Sequence, residues 1–300
     1  MDFETFQKLD ASEVAGQMRE AGSTVCVFPI NGTRRWFLLE HPDAAESDYM
    51  EAIIQRHVEL YRLLFDHGLD TVLAPIFEPV MQKRGEDYQQ KYIQKGLGLV
   101  ATHPIFTRFY QDDEVRVRFY GDYRRFFSQT GDADLLSDFD QIVEKTQQHR
   151  SRRLFYGVCT RQAIETAMEL AIQHYRTNGQ IPDRQALIEM YYGEPVPPVS
   201  LFITSGKFNA FGMPLLETDD TSLYFTVAPS PYLTERQLRT LLYDHLYERR
   251  PSAKPDYSDL TADEFGVMRT FYRTHLETTL GTGITRNGVW YPDIPGETNR

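Results

Sequence analysis

Thr24-Val25-Cys26-Val27-Phe28-Pro29-Ile30 runs directly into Asn31-Gly32-Thr33-Arg34-Arg35-Trp36. The first seven residues are apolar and rich in β-branched side chains, the composition of a buried strand in a parallel sheet. Asn31 and Gly32 can then form a tight turn with exposed backbone N–H groups, and Arg34 and Arg35 add two cations whose planar forks match phosphate oxygens. Taken alone, a basic pair after a strand reads equally well as a solvated turn. Two neighbours weigh toward an anion site. Trp36-Phe37-Leu38-Leu39 follows at once, so an apolar wall is expected beside the arginines, and Gly121-Asp122-Tyr123-Arg124-Arg125 repeats the strand-end-plus-arginines arrangement.

Outward from this stretch, short apolar runs alternate with longer segments of helical period, as in a parallel sheet covered by helices. Strands are expected at 24–30, 70–77, 114–120, 153–160, 200–204 and 222–228. Helices are expected at 48–67, 89–101, 135–149, 162–178, 184–192, 235–249 and 261–275. Met50, Ile53, Ile54, Val58, Tyr61, Leu64 and Phe65 recur at spacings of three and four along the first of them, and Gly68 reads as its stop. The expected fold class is α/β, with a central, mostly parallel six-stranded sheet flanked by helices. No Pro/Gly/Ser-rich linker divides the chain, so residues 1–250 are read as one catalytic domain and 251–300 as an extension packed on it. In open parallel sheets ligands gather beyond the carboxyl ends of the strands, which directs attention to 29–40, 121–131 and 204–221.

The 300 residues carry a formal net charge of −11, which argues against general affinity for nucleic acid or anionic membrane, since both rest on clustered cations. An anionic substrate must be met by a local arginine cluster. Met1 to Leu9 is polar and acidic, and no run of about 18 apolar residues offers a membrane span; a cytoplasmic protein without membrane insertion is expected. Cys26 and Cys159 each lie in an apolar run and read as small buried hydrophobes.

Other motifs fare poorly. Gly96-Leu97-Gly98 with Ala101 matches a dinucleotide fingerprint only by letters, because no strand precedes it. Ser205-Gly206-Lys207 lacks the upstream glycine of a Walker loop, although Lys207 follows a strand and can help neutralise phosphate. Asp112-Asp113 and Asp219-Asp220 read as solvated turns. Neither zincin spacing nor a Gly-x-Ser-x-Gly elbow is present.

Residues 30–36 resemble the first signature of the cis-prenyltransferase (undecaprenyl diphosphate synthase) superfamily, Asp-Gly-Asn-Gly-Arg-Trp after the first strand. Residues 117–122, 203–206 and 222–226 resemble its later Gly-Asp, Arg-Thr-Ser-Gly and Glu-Leu-Tyr-Phe segments in order, so the resemblance runs from about residue 24 to 250. Phe28-Pro29, 32–37, 221–229, Tyr243-Asp244-His245 and 254–258 are closer still to the tuberculosinol and tuberculosinyl-adenosine synthase branch, which keeps the fold without elongating chains. The resemblance implies an enzyme that ionises a bicyclic C20 allylic diphosphate, such as kolavenyl diphosphate, and lets water capture the cation to give a tertiary diterpene alcohol, kolavelool, and diphosphate. It implies a homodimer as well. A chain-elongating cis-prenyltransferase and a catalytically silent binding subunit of the same fold are the alternatives.

Carried over by position, Arg34 and Arg35 grip the diphosphate, and Tyr49 and Tyr88 match tyrosines of the reaction pocket; Gly32, Thr33, Ser205 and Lys207 are further candidates for holding the diphosphate, and residue 31 for acting with the tyrosines at the reacting centre. Phenol groups suit such a site, because the hydroxyl orients water and the ring face stabilises a cation. Two positions depart from the pattern. Asn31 stands where both families have Asp, and Ser222 stands where elongating enzymes have Glu. Those carboxylates hold Mg²⁺ in elongating enzymes, and hard cations prefer anionic oxygen; here Mg²⁺ is expected to be held mainly through the substrate diphosphate. Ser222 argues against elongation. Asn31 reads either as the native residue or as an inactivated form.

Overall fold

Alternate residues of the apolar runs separate onto two faces. Cys26, Val72, Leu154 and Leu201 lie in one core, and their chain neighbours Val25, Leu73, Phe155 and Phe202 in the other, as a period of two residues requires. Burial on both faces explains why these runs are continuously apolar. In the computed structural model, which describes residues 1–78, 95–249, 258 and 260–294, they form one six-stranded sheet. Its strands are β1 Val25–Val27, β2 Thr71–Phe77, β3 Val115–Tyr120, β4 Arg152–Val158, β5 Leu201–Ser205 and β6 Ser222–Thr226. The order is β3-β4-β2-β1-β5-β6, and every pair is parallel. β1 is shorter than expected because Pro29 has no N–H to continue the ladder; Phe28 N–H still donates to Leu73 O at 2.8 Å.

Helices Tyr49–Asp66, Lys95–Thr102, Pro104–Asp112, Ala133–Thr146 and Glu235–Tyr243 cover one face, packing Leu64, Phe109, Phe139 and Leu238 into the larger core. Helix Arg184–Tyr192 covers the other, with Tyr192 against the rings of Tyr120 and Phe155. Helix Ala163–Asn178 differs from these in burying none of its residues. From β1 the chain winds first toward β2 and later crosses to β5, so the order reverses at β1. A crevice opens at such a point beyond the carboxyl ends of the strands.

Several elements were missed by periodicity. Helices Phe3–Lys8 and Ala11–Glu20 start at Asp2 and Asp10; the Asp10 to Glu13 capping box was the legible signal. Segments 31–40 and 121–131, read as loops, contain helices Thr33–Glu40 and Tyr123–Thr130. The 235–249 segment is α-helical only to Tyr243 and continues as a π-helical turn over Asp244–Glu248. Near the C-terminus, strands β7 Gly283–Arg286 and β8 Val289–Pro292 pair across Asn287-Gly288, both at positive φ, which is the two-residue hairpin turn those residues favour. Helix Ala262–Thr274 buries no residue.

Gly121 ends β3 at φ +100°, and a Cβ there would overlap Val158 O. Gly121→Ala therefore combines backbone strain with a clash against backbone that cannot swing away. It is expected to lower unfolding free energy by about 2–3 kcal/mol, measured by urea titration; an unchanged midpoint would contradict the close packing of β3 on β4.

Candidate active site

The turn after β1 is built by Gly32, which adopts φ +78° and serves as the N-cap of helix Thr33–Glu40. A Cβ at Gly32 would meet Pro229 Cβ at 2.8 Å, so glycine is required both for the left-handed backbone and for the approach of the segment after β6. Ser230 locks the turn from that side. Its hydroxyl accepts from Asn31 N–H at 3.1 Å, and its own N–H donates to Asn31 O at 3.0 Å. It also lies 3.3 Å from Ser205 Oγ. Asn31 Nδ2 donates to Thr204 Oγ1 at 2.9 Å. Thr33 Oγ1 and Tyr49 OH are 2.8 Å apart, tying the turn to helix Tyr49–Asp66. Asn31, Gly32, Thr33, Tyr49 and Ser205 are thus brought together as expected. Thr204 and Ser230 are new members; each is a buried polar residue at a strand or segment end, and sequence pattern alone does not mark them. Tyr88 lies outside the described residues.

The first intrahelical hydrogen bond is from Trp36 N–H to Gly32 O, which leaves the backbone N–H groups of Thr33, Arg34 and Arg35 directed out of the helix start. Arg34 and Arg35 are exposed. Among the described residues neither forms an ion pair or a side-chain hydrogen bond with the protein. The second arginine pair behaves differently, and the expected parallel between the two does not hold. Arg124 is bonded to Asp140, and Arg125 to Glu169 and Asp122. Two cations beside bare helical N–H groups form a strong anion site; two neutralised arginines do not.

The apolar wall also lies elsewhere than expected. Within helix Thr33–Glu40 only Phe37 is buried, edge-on to Tyr49 at 5.3 Å, while Leu38 and Leu39 are 59% and 68% exposed. The apolar surface instead lines a cleft of ≈ 1180 Å³ beside Asn31. Pro75, Phe77 and Glu78 at the end of β2 contribute to it, as do Thr160 and Arg161 after β4. Its outer wall is Ile164, Ala167, Met168 and Ala171 of helix Ala163–Asn178, and the 209–217 loop closes the side. That loop is held by Tyr120 OH donating to Gly212 O at 2.6 Å and by Arg184 donating to Leu215 O and Glu217 O at 2.9 Å. Lys207 is exposed beyond Gly206 and does not line the cleft.

Ser222 does not share this site within one chain. It is in register with Leu201, itself in register with Cys26, so five residues of strand rise, roughly 15 Å, separate it from Asn31. It is buried, with its hydroxyl 2.8 Å from His245 Nδ1, and His245 Nε2 is 3.0 Å from Ser23 Oγ. Ser222→Ala removes the hydroxyl from a buried pair and is expected to cost about 1–3 kcal/mol of stability with diphosphate release per folded molecule unchanged. Urea titration and turnover on the same preparation check this; a selective loss of turnover would return Ser222 to the site.

For a divalent cation the donor set is weak. No group of three or more His, Cys, Asp or Glu residues among the described residues converges on one point, and the side chain at position 31 is a neutral amide. Both cysteines are buried and free. Burial raises both thiols, that of Cys159 to about 12, in keeping with small core residues. No helix among the described residues is long and apolar enough to cross a membrane.

No family model matches the chain. It is 39% identical over 289 residues to the tuberculosinyl adenosine transferase of Mycobacterium tuberculosis, covering 96% of this chain and 97% of that protein. It is 25% identical over 277 residues to the (+)-kolavelool synthase of Herpetosiphon aurantiacus, covering 92% and 91%. Among solved structures, lavandulyl diphosphate synthase from Lavandula x intermedia superposes with a TM-score of 0.60 at 12% identity, over 79% of this chain and 98% of that one. A probable undecaprenyl diphosphate synthase from Campylobacter jejuni gives 0.55 at 13%, over 77% and 98%. The fold is that of the cis-prenyltransferases.

Proposed function

The chain belongs to the tuberculosinyl adenosine transferase family, and from that premise we propose that it ionises a bicyclic C20 allylic diphosphate and lets a nucleophile capture the cation. The observation that carries this reading is the contrast between the two arginine pairs: among the described residues Arg34 and Arg35 have no protein partners at a helix start, whereas Arg124 and Arg125 are neutralised. Ionisation breaks the allylic C–O bond and leaves its electron pair on diphosphate. Charge grows on the leaving group, and donors preorganised for that charge act on the transition state. Arg34, Arg35 and the N–H groups of the first helical turn supply those donors. Asn31, Thr33 and Tyr49 hold the turn and face the reacting carbon. The hydrocarbon occupies the adjoining cleft, whose Ile164, Met168, Phe77 and Phe211 are apolar. Mg²⁺ carried by the substrate's diphosphate would supply further charge neutralisation there. A homodimer is part of the same reading.

Capture by water gives a tertiary alcohol of the kolavelool type, which is our first assignment. Transfer to the nucleoside adenosine is the second, favoured by the 39% identity to a protein of that name. Mass spectrometry of products from farnesyl, geranylgeranyl and kolavenyl diphosphates, each with and without adenosine, tests both. The chain as it stands and its Asn31→Asp variant are run side by side. An alcohol without adenosine supports hydrolysis, and an adenosine adduct supports transfer. Polyprenyl products from isopentenyl diphosphate, or no diphosphate release from any substrate by either protein, would refute the reading.

A further inference from the structure

Glu78 is the one buried Asp or Glu among the described residues, 8% exposed, and it lines the cleft that Asn31 opens into. Taking a carboxylate out of water is costly unless its charge is met. Among the described residues Glu78 forms no ion pair. Oε1 accepts from Thr160 N–H at 2.8 Å and from the Thr160 hydroxyl, and Oε2 accepts only a long bond from Arg161 N–H, 3.3 Å. All three partners are donors, and they leave one oxygen holding two bonds and the other a single long one. The strand end is also specially shaped for it: Cys159, just before Thr160, adopts φ +60°, which turns two successive N–H groups toward Glu78. Glu217, the other carboxylate on the cleft, is exposed.

We propose that Glu78 is the proton acceptor for the nucleophile that captures the cation, an inference that rests on the reading of the site given above. As the carbocation forms, the lone pair of an O–H or N–H nucleophile makes the new bond to carbon, and the proton leaves that atom for Glu78 Oε2. The carboxyl group then returns the proton to solvent through the mouth of the cleft. Charge balances, because diphosphate departs with the C–O electron pair and one proton is released. Fixed Oε1 bonds keep the open oxygen in place. Without this acceptor, loss of a proton from the cation's own carbon skeleton, which gives an alkene, competes better with capture.

The test separates this role from a structural one by product partition. The chain and its Glu78→Gln variant, each also in the Asn31→Asp background, are incubated with farnesyl, geranylgeranyl and kolavenyl diphosphates with and without adenosine, and diphosphate, alkene and captured product are measured together. Glu78→Gln is expected to keep releasing diphosphate while the ratio of captured product to alkene falls about 100-fold, within the range of a lost general base. A strut that merely holds β2 to β4 would change rate without changing that ratio. Should the glutamine variant misfold, Glu78→Asp, which retracts the carboxylate by one methylene, is expected to move the ratio the same way by about tenfold. An unchanged ratio in a folded variant that releases diphosphate overturns the role of Glu78 alone. Absence of diphosphate release from the unsubstituted and Asn31→Asp chains overturns the function itself, and the role of Glu78 with it.

Discussion

Replacing Arg34 and Arg35 together by alanine is expected to lower kcat/KM for diphosphate release by about 10²- to 10⁴-fold, since each charge-assisted hydrogen bond is worth roughly 1.5–3 kcal/mol and two are lost. The effect should fall mainly on kcat if the forks tighten on the leaving group as charge builds, and mainly on KM if they grip substrate and transition state alike. Stability should hardly move, because both side chains are exposed and, among the described residues, unpaired, and alanine is a better helix former. Arg124→Ala with Arg125→Ala is the matched control. It removes the same charge from the same kind of strand end, but breaks ion pairs of half-exposed arginines, worth about 0–1 kcal/mol each, and should leave kcat/KM within about threefold. Equal losses from the two double variants would mean that general positive potential, rather than a built diphosphate site, serves the substrate.

Asn31→Asp is expected to act in the opposite direction, raising turnover about 100- to 1,000-fold, the effect of restoring one group that acts on the transition state. The fold accommodates the change. Asn31 Nδ2 now donates to Thr204 Oγ1, and an aspartate oxygen at the same place would accept from that hydroxyl instead, with the backbone bonds to Ser230 untouched. A carboxylate beside a helix start and two arginines is also electrostatically welcome. A single-turnover assay across a Mg²⁺ titration reads the result. If the aspartate variant is no faster, the asparagine is the working residue of this chain, and the view of it as an inactivated form is wrong.

The sheet was legible because its signal is local. Continuous apolar runs such as 153–160 mark strands covered on both faces, and all six expected strands are present. The turn at Asn31-Gly32 was legible for the same reason, since glycine after a strand has few other uses. The cleft was not legible, because its walls come from β2, β4, helix Ala163–Asn178 and the 209–217 loop, which only tertiary packing assembles. Trp36-Phe37-Leu38-Leu39 misled as a pocket wall because adjacency in sequence is not a shared face: on a helix, residues 37 and 38 point about 100° apart. The arginines of 124–125 misled because Asp140 and Glu169, which neutralise them, lie 16 and 44 residues away. Glu78 was passed over since nothing local distinguishes it from a surface glutamate; its burial is set by Thr160, 82 residues on.

Helix Ala163–Asn178 gives the cleft its outer wall while burying none of its own residues. Its Ala163 and Leu170 rest on the second core, whereas Ile164 and Met168 face outward and are exposed. Under the proposed function, a substitution at Ile164 or Met168 would redraw the compartment for the hydrocarbon while touching only side chains that are 74% and 60% exposed. On that reading product identity would drift along this helix by single changes, while the turn locked through Gly32, Thr204 and Ser230 stays fixed.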